Sequence, residues 1–460
     1  MMDCKNIMEK PCHVYFMGIG GISMSGLAEI LLDKGYKVSG SDIKQTEVTN
    51  LLEEKGAHIN YSQVGENITD DIDFAVYTAA IRENNEEYIM VKEKNIPSMT
   101  RAMLLGYIME QYKNAISVSG THGKTTTTSM ISEIMLASAC DPTILVGGML
   151  NSIGGNYKIG HSDYIITEAC EYTNSFLSLI SNVNVILNVK EDHLDFFKDI
   201  DDIRHSFKVF ADKLDENGNL IINNEIDDVD YFTKDLKAKC TTFGIDVKSD
   251  YSAKNIKYNA FACAEFDVTY KDEIINHICL KVPGHHNVLN ALAAYATGKV
   301  LNFSDDIIKK GLENYGGTDR RFQFKGSFNG VNVVDDYAHH PDEIKATLEA
   351  VKNYPHKNLY LVFQPHTYTR TLSLMEEFAD ALKDVNNLIL AKIYPARETD
   401  DLGISSQTLC DKINEKNGNA IYLDTFEEIE KYLINNCKEG DLLITMGAGN
   451  VVEIGEKLVK

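Results

Sequence analysis

The stretch Ser117-Val118-Ser119-Gly120-Thr121-His122-Gly123-Lys124-Thr125-Thr126 places glycines, a lysine and hydroxyls at a spacing suited to holding phosphate. A short β-rich run, Ala115 to Ser119, enters the glycine turn, and Lys-Thr-Thr opens a helix. Glycines let successive backbone N–H groups point at one spot, and the helix N-terminus adds positive potential there. Lys124 can then reach the terminal phosphates while Thr125 offers a hydroxyl to Mg²⁺. The pattern departs from G-x-x-x-x-G-K-[ST], because position 118 is Val and the first glycine is Gly120. Downstream, Met130, Ile131, Ile134 and Met135 recur at helical spacing and read as an amphipathic helix.

A second glycine turn, Gly18-Ile19-Gly20-Gly21, follows a candidate strand, His13 to Met17, and Asp42 ends the next strand. Ser23 interrupts the dinucleotide fingerprint G-x-G-x-x-G, so the turn suits any diphosphate ligand, a nucleotide-sugar included. A tight strand-to-helix turn without a ligand is the plain alternative. Thr167-Glu168-Ala169-Cys170-Glu171 also follows a strand, where a carboxylate can hold Mg²⁺ against phosphate; a solvated loop acid is the competing account. In Asn188-Val189-Lys190-Glu191-Asp192-His193-Leu194-Asp195, His193 could bind a second metal or the transferring phosphate. Asp192 and Asp195 could simply cap the following helix. Arg320 and Arg321 offer bidentate contacts to phosphate or carboxylate, or a bland surface ion pair. Asp335-Asp336-Tyr337-Ala338-His339-His340-Pro341 and Phe363-Gln364-Pro365-His366-Thr367-Tyr368-Thr369-Arg370 gather titratable groups at two strand ends.

Strand and helix alternate around these residues, which predicts α/β architecture with parallel, doubly wound sheets in three domains, 1–112, 113–318 and 319–460. Between Tyr251 and Val282 apolar and polar residues alternate, predicting antiparallel hairpins on one flank of the central domain. An alanine-rich helix, His286 to Leu301, follows, and Pro341 suits a first helical position after His340. The chain of 460 residues has a hydrophobic content of 44% and a net charge of −23. That charge argues against nucleic acid or an anionic membrane as partner, though a local basic pocket can still bind anions. Nine cysteines without a C-x-x-C pair predict reduced thiols in a cytoplasmic protein. No run approaches the apolar length of a spanning helix, and Met1 to Lys10 lacks the apolar core of a signal peptide.

In this order the motifs resemble the Mur ligases, ATP-dependent amide ligases of peptidoglycan precursor synthesis. The resemblance rests on the two glycine turns, His286-Asn287-Val288-Leu289-Asn290-Ala291, Arg320-Arg321-Phe322-Gln323, the Asp335–Pro341 segment and Met446-Gly447-Ala448-Gly449-Asn450. It implies a Rossmann-like UDP-binding domain, a P-loop ATPase-like central domain and a Rossmann-like C-terminal domain for the amino acid. It further implies that Gly20, Gly21, Ser41, Asp42 and Arg101 face the UDP-sugar, and that Gly120, Thr121, His122, Gly123, Lys124, Thr125, Thr126, Asn287 and Arg320 hold ATP. Thr125, Glu171 and His193 would hold Mg²⁺, and Lys124, Glu171, His193, Arg321, His339, His366 and Arg370 would act in catalysis, with Tyr337 beside them. The implied reaction joins L-alanine to the lactyl carboxylate of UDP-N-acetylmuramate through an acyl phosphate, in a monomer or homodimer. Two departures stand out: the metal loop reads Glu168-Ala169-Cys170-Glu171-Tyr172-Thr173, poorer in acids than the family's, and Thr367 replaces a common Arg. The alternatives are a recycling ligase that adds a tripeptide to the same sugar nucleotide, a nicotinamide-dependent oxidoreductase and a non-catalytic ATP-binding switch.

Overall fold

The computed structural model describes residues 7–78, 81–194, 196–396, 398–399 and 402–460. Asp195, one of the two candidate caps, lies outside them. Three sheets follow one another along the chain. The first has five parallel strands centred on His13–Met17, which is buried along its whole length between Lys37–Ser41 and Phe74–Tyr77. Its helix Ile22–Asp33 begins directly after Gly21.

The second sheet has ten strands. Its parallel part sets Asn114–Ser119 between Val183–Ile186 and Tyr164–Glu168. Both neighbours therefore deliver their carboxyl-terminal loops beside the loop that follows Ser119, where ligands of open α/β sheets collect. Tyr251–Tyr258, Cys263–Tyr270 and Glu273–Pro283 form the antiparallel flank read from the alternation. The third sheet has six strands, parallel except for the hairpin Gln323–Phe328 with Val331–Asp336. Among the described residues, no helix is long and apolar enough to cross a membrane.

The helix Lys124–Ala137 differs from its amphipathic reading, for it is buried from Thr125 through Met135. Helices His286–Val300 and Asp305–Asn314 pack on it, as does the strand Thr143–Leu150. Two of its polar residues are paired inside: Thr127 donates to Asn290 Oδ1 at 3.2 Å, and Ser132 to the Thr128 carbonyl at 2.8 Å. The first two units share one hydrophobic core, in which Leu27, Ile108, Phe176 and Phe210 belong to a single cluster. The third has its own cores on the two faces of its sheet.

Candidate active site

The glycine turn is shaped by two left-handed positions, Gly120 at φ +144° and Gly123 at φ +84°. A Cβ on Gly123 would stand 2.7 Å from Asn290 Oδ1, so the close approach excludes a side chain as well as the backbone angle does. Asn188 stitches the turn to the neighbouring strand end: its Oδ1 accepts from the His122 N–H at 2.8 Å and its Nδ2 donates to the His122 carbonyl at 3.0 Å. Lys190 N–H donates to Thr121 Oγ1 at 2.9 Å.

Lys124 Nζ donates to Glu171 Oε2 at 2.9 Å and to the Thr121 carbonyl at 3.1 Å. Burial opposes the ammonium charge, but Glu171 and the neighbouring groups outweigh it and push the lysine up. Glu171 is only 2% exposed. His193 Nε2 lies 3.8 Å from Glu171 Oε1 and 3.7 Å from Asp192 Oδ2, with the Tyr172 ring against its own at 4.6 Å. Burial lowers the His193 value, keeping a neutral ring with a lone pair. The Thr125 hydroxyl and Glu171 carboxylate are hard oxygen donors of the kind Mg²⁺ selects, and His193 adds a nitrogen beside them. Glu168 turns away, accepting from the Gly147 N–H at 2.6 Å.

The C-terminal unit closes the site from the other side. His340 caps the helix Pro341–Lys352 and Glu343 returns to its N-cap backbone, a reciprocal arrangement that fixes both side chains. Glu343 then pairs with His122 at 3.2 Å, and His340 Nε2 meets the Glu191 carbonyl at 3.0 Å. Burial raises the Glu343 carboxyl, but His339, His122 and Arg321 outweigh it and hold it well below the usual range. Arg370 binds Asp192 at 3.2 Å and reaches His366 Nδ1 at 3.2 Å. Burial drives His339 to about 4 and His366 to about 3, so both rings are neutral near pH 7. Asp336, also buried, is pushed up to about 6 while accepting from the Ala338 and Phe322 N–H groups.

The two arginines separate. Arg320 is held inside the C-terminal unit by Asp335 at 2.9 Å and by the carbonyls of Gly447 and Gly449. Arg321 instead lines a cavity of about 390 Å³ together with His122, Gly123, Thr126, Asn287 and Asn290. Thus Arg320, expected at ATP, faces its own sheet, while Arg321 is the guanidinium beside the phosphate turn. A second cavity of about 480 Å³ gathers Tyr172, Asp192, His193, His366, Thr367 and Arg370. Thr367 adopts φ +66°, an angle rare outside glycine, and its side chain caps the short helix Tyr368–Ser373 by accepting from the Arg370 N–H.

At the first sheet, Asp42 Oδ2 accepts from the Gly20 N–H at 2.8 Å and Oδ1 from Ile43 N–H at 2.7 Å. Ser41 is fully buried and donates to Glu87 at 2.6 Å, in a network with Tyr15 and Asn67. Gly20, Gly21 and Asp42 thus share one turn, whereas Arg101 opens a separate helix, Arg101–Met109, beside Cys170 of the central loop. Glu87, Asn188 and Glu343 were not singled out from the sequence. Only Glu343 carries a local signal, standing three residues after a helix-capping position ahead of an apolar pattern.

Three family descriptions match successive parts of the chain: "Mur ligase family, catalytic domain" over residues 13–113, "Mur ligase middle domain" over 118–298, and "Mur ligase, glutamate ligase domain" over 320–449. A UDP-N-acetylmuramate–L-alanine ligase of Lachnospira eligens is 57% identical over 98% of this chain and 99% of its own. One from Agathobacter rectalis is 54% identical over 98% of each. Among solved structures, a UDP-N-acetylmuramate-alanine ligase of Thermotoga maritima superposes with a TM-score of 0.80 at 28% identity, covering 97% of this chain and 98% of that one. A murein peptide ligase of Psychrobacter arcticus shares the fold, with a TM-score of 0.71 at 22% identity over 97% and 98% of the two chains.

Proposed function

The chain belongs to the Mur ligase family, and from that premise we propose how its own residues join L-alanine to UDP-N-acetylmuramate at the expense of ATP. The protein is an ATP-dependent ligase of peptidoglycan precursor synthesis, and the observation that carries the choice of acceptor is 57% identity, along 98% of the chain, to a relative named for L-alanine. The tripeptide ligase and oxidoreductase readings are not favoured.

In this reading 1–112 binds the UDP-sugar, 113–318 the ATP and 319–460 the amino acid. The cavity at His122, Asn287 and Arg321 takes the nucleotide, and the cavity at His193, His366 and Arg370 takes the lactyl carboxylate and the alanine. Lys124 follows Gly123 of the first cavity, and its partner Glu171 lies 3.8 Å from His193 of the second. The lactyl carboxylate attacks the γ-phosphorus of ATP, the bond to the ADP oxygen breaks, and an acyl phosphate forms. The alanine amine then adds to the acyl carbon and phosphate leaves from the tetrahedral intermediate.

Two anions meet in the first step, so the barrier is mainly one of positioning and charge. Lys124, Arg321 and Arg370 supply fixed positive charge there. Thr125 and Glu171 would hold Mg²⁺, with His193 at a second ion, and bound Mg²⁺ would supply further charge to neutralise the phosphates. His339 and His366 are too weakly basic to store a proton at pH 7. His339 donates Nδ1–H to the Tyr337 carbonyl and keeps Nε2 free to accept a hydrogen bond from the incoming amine, whereas His366, whose Nδ1 accepts from Arg370, presents Nε2–H as a donor. The contacts of Glu343, His340 and Arg370 with the central unit support closure that keeps water from the acyl phosphate. The protein is read as cytoplasmic and as a monomer or homodimer, which light scattering resolves. ADP release that needs both UDP-N-acetylmuramate and L-alanine tests the reaction. Equal turnover with neither substrate would refute it.

A further inference from the structure

Far along the central sheet from the phosphate turn, the strands Cys263–Tyr270 and Glu273–Pro283 carry a polar face that the ligase reaction does not use. Glu265 stands directly opposite Cys279, and Asp267 directly opposite His277. Their side chains therefore share one face of the hairpin, two residues apart on each strand. The other face, with Phe266 and Ile278 between them in sequence, is fully buried, so the polar side is held on a rigid base.

The histidine is oriented. His277 Nδ1 is 2.7 Å from Asp267 Oδ1, and Asp267 is itself fixed by Asn255 Nδ2 at 2.7 Å from the next strand. A carboxylate can only accept, so Nδ1 carries the proton and Nε2 presents its lone pair. That lone pair meets Cys279 Sγ at 3.6 Å. Zinc bonds of about 2.0 Å to nitrogen and 2.3 Å to sulfur at a tetrahedral angle put the two ligand atoms about 3.6 Å apart. The Glu265 carboxylate completes the set, with all three donor atoms within 4.8 Å of one another. Its competing partner, Lys257, is exposed and 3.9 Å away, an ion pair too weak to hold it.

We propose that Glu265, His277 and Cys279 form a surface site for a thiophilic divalent cation, Zn²⁺ by its chemistry, with Asp267 positioning the histidine. Carboxylate behind imidazole is the usual support of a metal-bound histidine, and a thiolate ligand selects Zn²⁺ over Mg²⁺. Binding replaces the Cys279 thiol proton by the metal, forming a sulfur–metal bond and releasing one proton to solvent. Water takes the fourth position. The ion would clamp the two strands just upstream of Val282 and Pro283, which line the cavity of about 390 Å³.

The test uses the reduced full-length chain, stripped with a chelator and titrated with Co²⁺ as the spectroscopic probe. A thiolate-to-cobalt charge-transfer band that Zn²⁺ displaces is expected. C279S and H277A should each abolish it, and D267N should weaken binding about ten- to a hundredfold. C170S and C240S, at the other exposed thiols among the described residues, should retain it. Thermal unfolding in chelator, unchanged in each variant, verifies that the fold survives. No band in the wild-type chain, or a band that persists in C279S, overturns the proposal.

Discussion

At the residue scale the account turns on Lys124 and Glu171, a buried pair with side chains 16% and 3% exposed. Lys124→Met should lower the rate of ADP release about a hundred- to a thousandfold, because it removes fixed charge from the developing phosphoryl oxygens. It should also destabilise the chain by about 3–5 kcal/mol, since Glu171 is left buried without its partner. Adding Glu171→Gln should restore most of the stability and none of the activity. A double variant that regains turnover would contradict the assignment. These two residues were legible in the sequence because a glycine turn and a strand-end acid are local patterns. Arg320 and Arg321 were not separable that way: which guanidinium faces the cavity depends on Asp335, Gly447 and Gly449, and the last two lie more than a hundred residues away. Glu87 stayed hidden for the same reason, as a helix acid whose partners Tyr15 and Ser41 sit on other strands.

At the scale of elements, the strand-to-helix turn depends on Gly123. Gly123→Ala places a Cβ against Asn290 at a left-handed angle, so ATP binding should fall at least tenfold while the rest of the fold is retained. Calorimetric titration with ATP checks this, and unchanged affinity would show that the turn is not the nucleotide cradle. The strand His13–Met17 was readable to the residue because buried parallel strands are unbroken apolar runs. The helix Lys124–Ala137 was misread as amphipathic. Its hydroxyl-rich face looks solvated in sequence, but Asn290 and Thr318, remote in the chain, pair with it inside the protein.

At the scale of the whole molecule, burial makes stability depend on pH. His286 and His339 lie at about 4 and His366 at about 3 in the fold, against 6.5 for a free imidazole. Their stabilising contribution is therefore present above 6.5 and lost as pH falls toward 4. Asp336, raised to about 6 from 3.8, acts in the opposite sense, and its contribution fades as pH rises from 4 to 6. The three imidazoles outweigh the one carboxyl, so these four groups together make stability fall as pH drops from 6.5 toward 5. The unfolding midpoint should accordingly drop steadily between pH 6.5 and 5; a level midpoint would show that these imidazoles are not buried together. The three-unit architecture was legible from alternating strands and helices. The contacts that join the units, such as Asp192 with Arg370 and His122 with Glu343, come from folding alone. They hold the cavity at His122 and the cavity at His366 at the joint of the central and C-terminal units, and under the proposed reading that arrangement couples ATP cleavage to acceptor binding. The direct test is ADP release measured with UDP-N-acetylmuramate present and the acceptor varied. Rapid, stoichiometric ADP formation with L-alanine, and little with L-alanyl-γ-D-glutamyl-diamino acid or with no acceptor, is predicted. Turnover indifferent to the acceptor, or supported only by the tripeptide, would contradict it.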